Sequence, residues 1–245
     1  MKITATIITL DEERNIARAI ESLRCADEIL IVDSGSVDRT VELAQNLGAR
    51  VLEAGWRGYA GQKNLATDQA AHDWILSLDA DETLSESLEA EIWNLKKSGP
   101  AFDGYTMPRL ARYLGRWIYH SGWYPDRKIR LYDRRKAKWV GDFVHESVAV
   151  QGRLGHLQGN LLHFTCESLS EHVKTLDHYT TLAAQELVAD KVKVPLMRLM
   201  VDPAWTFVRT YFLKAGFMDG PEGLTIAHMA AFYVFLKYSK ARNMS

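Results

Sequence analysis

Four short apolar runs near the N-terminus, separated by stretches of helical period, leave this chain few folds to choose from. They are Thr6-Ile-Ile-Thr9, Glu28-Ile-Leu-Ile-Val-Asp33, Ala49-Arg-Val-Leu52 and Trp74-Ile-Leu-Ser-Leu78. Each is too short for a buried helix and lacks the polar alternation of a half-solvated strand, so each reads as a buried parallel strand. Between them Ile16, Ala19, Ile20 and Leu23 share one helical face, as do Val41, Leu43, Ala44 and Leu47. Strand-helix alternation of this kind builds a parallel sheet with right-handed crossovers, and ligands gather at the carboxyl ends of its strands.

Acids occupy those ends. Asp11 and Glu12 follow the first run, Asp33 closes the second, and Asp79 and Asp81 follow the fourth. One Asp at a strand-to-helix turn is commonly a cap, but three such sites on one edge point to a ligand. The stretch ILSLDADET, residues 75–83, admits three readings. In an aspartyl-phosphate phosphohydrolase Asp79 would attack phosphorus, yet no later acidic pair stands ready to hold its magnesium. As a helix start, Thr83 with Glu86 three residues on would form a capping box, which leaves Asp79 unexplained at the end of an apolar strand. As a metal site, the two carboxylates would share one divalent ion, Mn2+ or Mg2+, both of which prefer oxygen ligands.

The formal net charge of -1 argues against a nucleic-acid partner. Cys25 and Cys166 stand far apart and read as reduced thiols. Residues 1–9 resemble a first strand rather than a secretory leader, which predicts a cytoplasmic protein, and no apolar stretch is long enough to span a bilayer.

Beyond Pro100 the pattern turns to short strands and loops over 102–107, 128–132, 144–150 and 155–164, with Tyr113, Trp117, Tyr119, Trp123, Tyr124 and Trp139 among them. These aromatics suit sugar stacking, and at least half suit a core. From Ser168 the sequence is helical, with breaks predicted at Pro195, Pro203 and Pro221.

Four ordered strings, Ile7-Ile-Thr-Leu-Asp-Glu-Glu-Arg-Asn-Ile16, Ile31-Val-Asp-Ser-Gly-Ser-Val-Asp-Arg-Thr40, Gly61-Gln-Lys-Asn64 and Leu78-Asp-Ala-Asp-Glu82, resemble family 2 glycosyltransferases of the GT-A fold. Asp11 departs from the Asn of many relatives. Tyr211-Phe-Leu-Lys-Ala-Gly-Phe-Met-Asp-Gly220 is similar to the lipopolysaccharide core β-glucosyltransferase branch. The resemblance implies an α/β fold: a Rossmann-like mixed sheet flanked by helices, followed by a helical C-terminal extension. Residues 1–165 would form the catalytic domain, with 1–100 for the nucleotide and 101–165 for the acceptor, and 166–245 the extension.

The same resemblance implies an inverting hexosyltransferase that moves a sugar, glucose by the branch, from a UDP-sugar to a glycan or glycolipid hydroxyl. A degraded, non-catalytic sugar-nucleotide scaffold is its non-enzyme alternative. Thr9, Leu10, Glu12 and Asp33 would surround the uridine, with Asp33 accepting the uracil imide N–H. Asp38 is expected to cap the next helix. Lys63 and Asn64 would lie beside the diphosphate, and Asp79, Ala80 and Asp81 would close the site, Asp81 and Asp79 holding the metal with His163 as a further ligand. An acceptor hydroxyl needs a general base, for which Glu146 and Asp126 are the leading candidates and Asp142 a third. His145 would orient Glu146. The basic run Arg127, Lys128, Arg130, Arg134 and Arg135 suits either a solvated face or phosphate.

In the tail, Arg198, Arg209, Lys214, Lys237, Lys240 and Arg242 alternate with apolar groups, as in a helix lying at the inner face of the cytoplasmic membrane. Packing against the rest of the protein, or against a second subunit, accounts for that pattern equally well.

Overall fold

The computed structural model describes residues 1–141 and 146–244. Asp142, His145 and the first part of the strand expected over 144–150 lie outside the described residues. The chain groups into two compact units, Met1–Arg109 with Asp126–His163, and Leu110–Pro125 with Phe164–Ser245.

The expected strand-helix alternation opens the first unit. In chain order it runs β1 (Ile3–Thr9), α1 (Ile16–Glu21), β2 (Glu28–Asp33), α2 (Thr40–Asn46), β3 (Arg50–Glu53), α3 (Tyr59–Gln69), β4 (Trp74–Asp79), β5 (Glu82–Leu84) and α4 (Glu86–Ser98). There follow β6 (Gly104–Tyr113), β7 (Arg116–Trp117), β8 (Asp126–Asp133), β9 (Ala137–Val140), β10 (Ser147–Val150), β11 (Leu154–His156) and β12 (Leu161–Cys166). The main sheet has the order β3-β2-β1-β4-β8-β6-β12-β5, while β9 and β10 pair separately. Its first four strands are parallel, and β8 adds to β4 antiparallel. This is the mixed α/β sheet that the sequence implied.

Both sheet faces are buried because neighbouring side chains alternate sides. Ile31 belongs to the same core cluster as Ile16, Ala19 and Ile20 of α1 and Leu88 and Ile92 of α4. Leu30 and Val32, one residue to either side, pack instead with Ala66 of α3. After β1 the order steps outward through β2 and β3, and then returns to place β4 on the other side of β1. That reversal opens a crevice at the carboxyl ends of β1 and β4, the position where such sheets bind ligands. The register is level there, with Thr9 opposite Asp33 and Ile8 opposite Asp79.

Two local expectations are corrected. Thr83 lies in β5, paired with Leu162 of β12, and α4 is capped instead by Ser85, whose side chain accepts from Leu88 N–H. Strand pairing outcompeted the capping box because the Glu82–Leu84 segment is fully buried. Asp38 is not the N-cap of α2, a position held by Arg39. Its carboxylate instead accepts from the N–H groups of Thr40 and Glu13, tying two loops together.

The second unit carries α5 (Leu169–Ala189), α6 (Leu196–Val208) and α7 (Gly220–Met244). Ser168 and Glu171 make the capping box that starts α5. Pro203 lies inside α6 rather than ending it, and a π turn over Arg209–Leu213 follows. No described helix is long and apolar enough to cross a membrane. Both cysteines are free, and burial pushes the Cys25 thiol up to about 12.

Candidate active site

Two loops built from the β1 and β2 ends are laced together. Asp11 N–H donates to Ser36 Oγ and its carboxylate accepts from Val37 N–H, while Glu12 N–H donates to Thr40 Oγ1 at 2.7 Å. Asp11 adopts a left-handed backbone, φ 54°, which Asn and Asp tolerate best among residues with a Cβ. That conformation gives a physical reason why Asn and Asp can exchange there.

Asp33 is 1% exposed and accepts from Thr9 Oγ1, Ser36 Oγ, Gly35 N–H and Ser36 N–H. Burial pushes its carboxyl up, but the Ser36 and Gly35 donors outweigh that and hold it below the ordinary range. These bonds fill the four acceptor positions of a carboxylate. Leu10, beside it, is 54% exposed. Glu12 shows the opposite shift: burial pushes its carboxyl up against the Asn15 hydrogen bond, and Asp81, Asp38 and Asp79 add to the rise. The acids of β1 and β4 therefore face one another across the crevice.

Seven charged groups form an alternating chain through this unit. From Asp126 it passes to Arg109 (2.6 Å), Glu82 (3.4 Å), Arg130 (2.7 Å), Asp79 (2.5 Å), Lys63 (2.7 Å) and Glu146 (3.0 Å). Glu82 is fully buried, and its second oxygen accepts from Asp79 N–H. Lys63, 2% exposed, also lies 4.4 Å above the Trp139 ring. Burial disfavours a charge on Asp79, yet Arg130 and Lys63 hold its carboxyl far below the usual range, and Asp79 and Glu82 in turn raise Arg130. With a cation on each oxygen, Asp79 is a poor nucleophile, which removes the chemical basis of the phosphohydrolase reading.

Trp139 is fixed from two sides. Asn64 of α3 donates to its carbonyl and accepts from its N–H, and its indole N–H donates to Tyr132 Oη at 2.8 Å. Both polar ends of Asn64 are thus engaged with β9, a positioning role. Ala80, 6% exposed, is the small residue between the two acids.

Asp81 and His163 meet at 3.0 Å, Oδ2 to Nε2, because β12 pairs with β5 in a register that sets His163 opposite Glu82. An oxygen and a nitrogen at this separation suit two ligands of one divalent ion. Among the described residues no three His, Cys, Asp or Glu side chains converge on a metal position. Any ion held here would complete its shell with oxygens from its ligand or from water.

Glu146 and Asp126 sit at opposite ends of the ion-pair chain. Burial pushes Asp126 up, but Arg109 and Lys128 overcome it and hold the carboxyl below its usual range. Three other members of the basic run are tied to neighbouring protein groups. Arg127 donates to Leu157 O, Arg134 to Ala70 O, and Arg135 to Asp133. Arg130, Glu82 and Arg109 are central to the site, although the sequence assigns no role to Glu82 or Arg109 and leaves Arg130 in a basic run suited to either a solvated face or phosphate. A signal existed for Arg130: an arginine between Ile129 and Leu131 in a strand pattern must be paired when buried. Arg109 and Glu82 carry no comparable local mark.

Residues 4–151 match the family described as Glycosyl transferase family 2. An uncharacterised glycosyltransferase of Rickettsia typhi is 33% identical, over 100% of this chain and 88% of its own length. The lipopolysaccharide core biosynthesis glycosyltransferase LpsC of Rhizobium meliloti is 32% identical, over 98% of this chain and 92% of its own. Among solved structures, Staphylococcus aureus TarS (residues 1–349) aligns at 14% identity with a TM-score of 0.48, covering 100% of this chain and 92% of that one.

Proposed function

Because the chain belongs to glycosyltransferase family 2, we propose that it is an inverting enzyme transferring a hexose, glucose by resemblance, from a UDP-sugar to a hydroxyl of a lipopolysaccharide-core or related envelope glycan. The observation that carries this reading is the charged cluster at the carboxyl ends of β1 and β4. Asp79 is held there between Lys63 and Arg130, beside the Asp81–His163 pair and facing Glu12. The full-length similarity to LpsC supports the choice of acceptor class.

Thr9, Leu10, Glu12 and Asp33 line the uridine subsite, where Asp33 exchanges one of its Ser36 hydrogen bonds for the imide N–H of uracil. Asp81 and His163 would hold a Mn2+ or Mg2+ ion, which when bound neutralises charge on the departing diphosphate. Lys63, ion-paired with Asp79 and Glu146, supplies positive charge beside that leaving group. Asp79 and Asn64 position it, Asp79 by ion pairing and Asn64 by holding Trp139 beneath it.

Glu146 removes the proton from the attacking acceptor hydroxyl, and Asp126, drawn to Arg109 and Lys128, is the weaker base. Direct displacement inverts the anomeric centre through an oxocarbenium-like state. Residues 1–165 carry this chemistry, and the helical segment from 166 is an extension to it.

The test is transfer of labelled glucose from UDP-glucose to an envelope-glycan extract, with manganese and with chelator. Labelled acceptor of inverted configuration is the expected product. Phosphate release without transfer would favour a hydrolase, and UDP binding without turnover a scaffold.

A further inference from the structure

Helix α6 is rich in apolar residues, yet none of its residues is buried. Met197 and Met200 are each 73% exposed, and Leu196, Val201, Trp205 and Val208 are exposed with them. From Met197 to Val208 these side chains recur at helical spacing and form one stripe facing solvent, while half-buried Leu199, Thr206 and Phe207 take the opposite face. The apolar surface continues through the turns that follow, where Phe212, Leu213, Phe217 and Met218 are all more than half exposed. Globular proteins seldom leave so continuous an apolar surface open to water without a partner for it.

Charge identifies the partner. Residues 191–218 hold five basic groups (Lys191, Lys193, Arg198, Arg209, Lys214) and one acid, Asp202, so they carry +5 - 1 = +4 in a chain of net charge -1. Asp202 pairs with Arg198 at 3.0 Å, which leaves the other four cations uncompensated within the segment, all of them exposed. Lys240 and Arg242, which the sequence pattern grouped with these, are engaged within the tail, with Asp177 and Val194 O respectively. Two copies of the chain meeting through this face would bring two +4 segments together, whereas an anionic bilayer offers both acyl chains and opposite charge. Trp205 has the amphipathic ring favoured at that boundary.

We infer that α6 and the turns after it dock the chain onto a bilayer containing anionic lipid, with the apolar stripe among the acyl chains and the cations at the headgroups. This inference stands apart from the sugar-transfer reading.

The experiment is flotation of the full chain with phosphatidylcholine vesicles, with and without phosphatidylglycerol, at low and high salt. Binding to the anionic vesicles is expected to exceed binding to the neutral ones by at least about tenfold, with the difference collapsing in high salt. Met200→Glu with Trp205→Glu should cut binding at least about tenfold and leave the thermal melt unchanged, since both side chains face water. Arg209→Glu with Lys214→Glu should abolish the preference for anionic lipid. The inference is overturned if folded wild-type chain fails to float with anionic vesicles, or if the Met200 and Trp205 substitutions leave flotation unchanged. It is also overturned if sedimentation equilibrium finds a dimer that those two substitutions dissolve.

Discussion

Arg130 and Asp79 form an ion pair of 2.5 Å at the carboxyl end of β4, and the same guanidinium nitrogen reaches Glu82 at 2.7 Å. One buried cation therefore serves two acids, Glu82 fully buried and Asp79 partly exposed. It also explains why Asp79, the first acid of the DAD turn, differs from Asp81: the first is neutralised by protein, while the second is left with a histidine as partner.

Arg130→Leu should leave Asp79 paired with Lys63 alone and Glu82 with Arg109 alone, at 3.4 Å. Removing one member of a buried pair costs about 3–5 kcal/mol, and at this chain length each kcal/mol lowers Tm by roughly 2–4 °C. A fall of about 10 °C by calorimetry is the expected result. A melt within a couple of degrees of wild type would mean that water or a rearranged Lys63 takes over.

Acid should unfold the protein through Asp79 and Asp33. Both carboxyls have folded pKa values below their unfolded ones, so their contribution is fully present above the unfolded value of about 4 and is lost as pH falls through the folded values. Urea midpoints should therefore drop steeply on the acid side, and Asp33→Asn should flatten that limb. Glu12 has the opposite sign: its raised carboxyl costs stability that appears as pH rises above the unfolded value. Glu12→Gln should stabilise the chain at neutral pH and change little in acid.

Glu146→Gln should lower kcat by about 10²- to 10⁴-fold with donor KM little changed, the loss expected when a general base is removed. Asp126→Asn should cost less, because Arg109 and Lys128 already hold that carboxylate in its charged form. Steady-state transfer kinetics on both variants decide the matter. The reverse order would exchange their roles.

Asp81→Asn and His163→Ala should each weaken manganese-dependent UDP binding by at least about tenfold in calorimetry, while metal-free UDP binding persists. Equal metal enhancement in wild type and both variants would remove this pair from the metal site.

Much of the nucleotide-side sheet was legible because its information is local. β2 was read from Glu28 to Asp33 and observed there, since an apolar run between turn residues has one comfortable conformation in a sheet buried on both faces. The acids at the strand ends were legible for the same reason. Thr83 was misread because its local signal, a capping box, competed with burial of β5 against β12, a partner almost eighty residues away.

Apolar periodicity and turn chemistry by themselves determined the strand-helix order and the level of the acids along the sheet edge, while the resemblance to a transferase family rested on four motif strings. Only the tertiary structure decided which acid is neutralised by cations and which is paired with a histidine. That choice depends on Arg130, Arg109 and Lys63 arriving from distant elements, and an ion pair between residues 51 positions apart leaves no periodic trace in the chain.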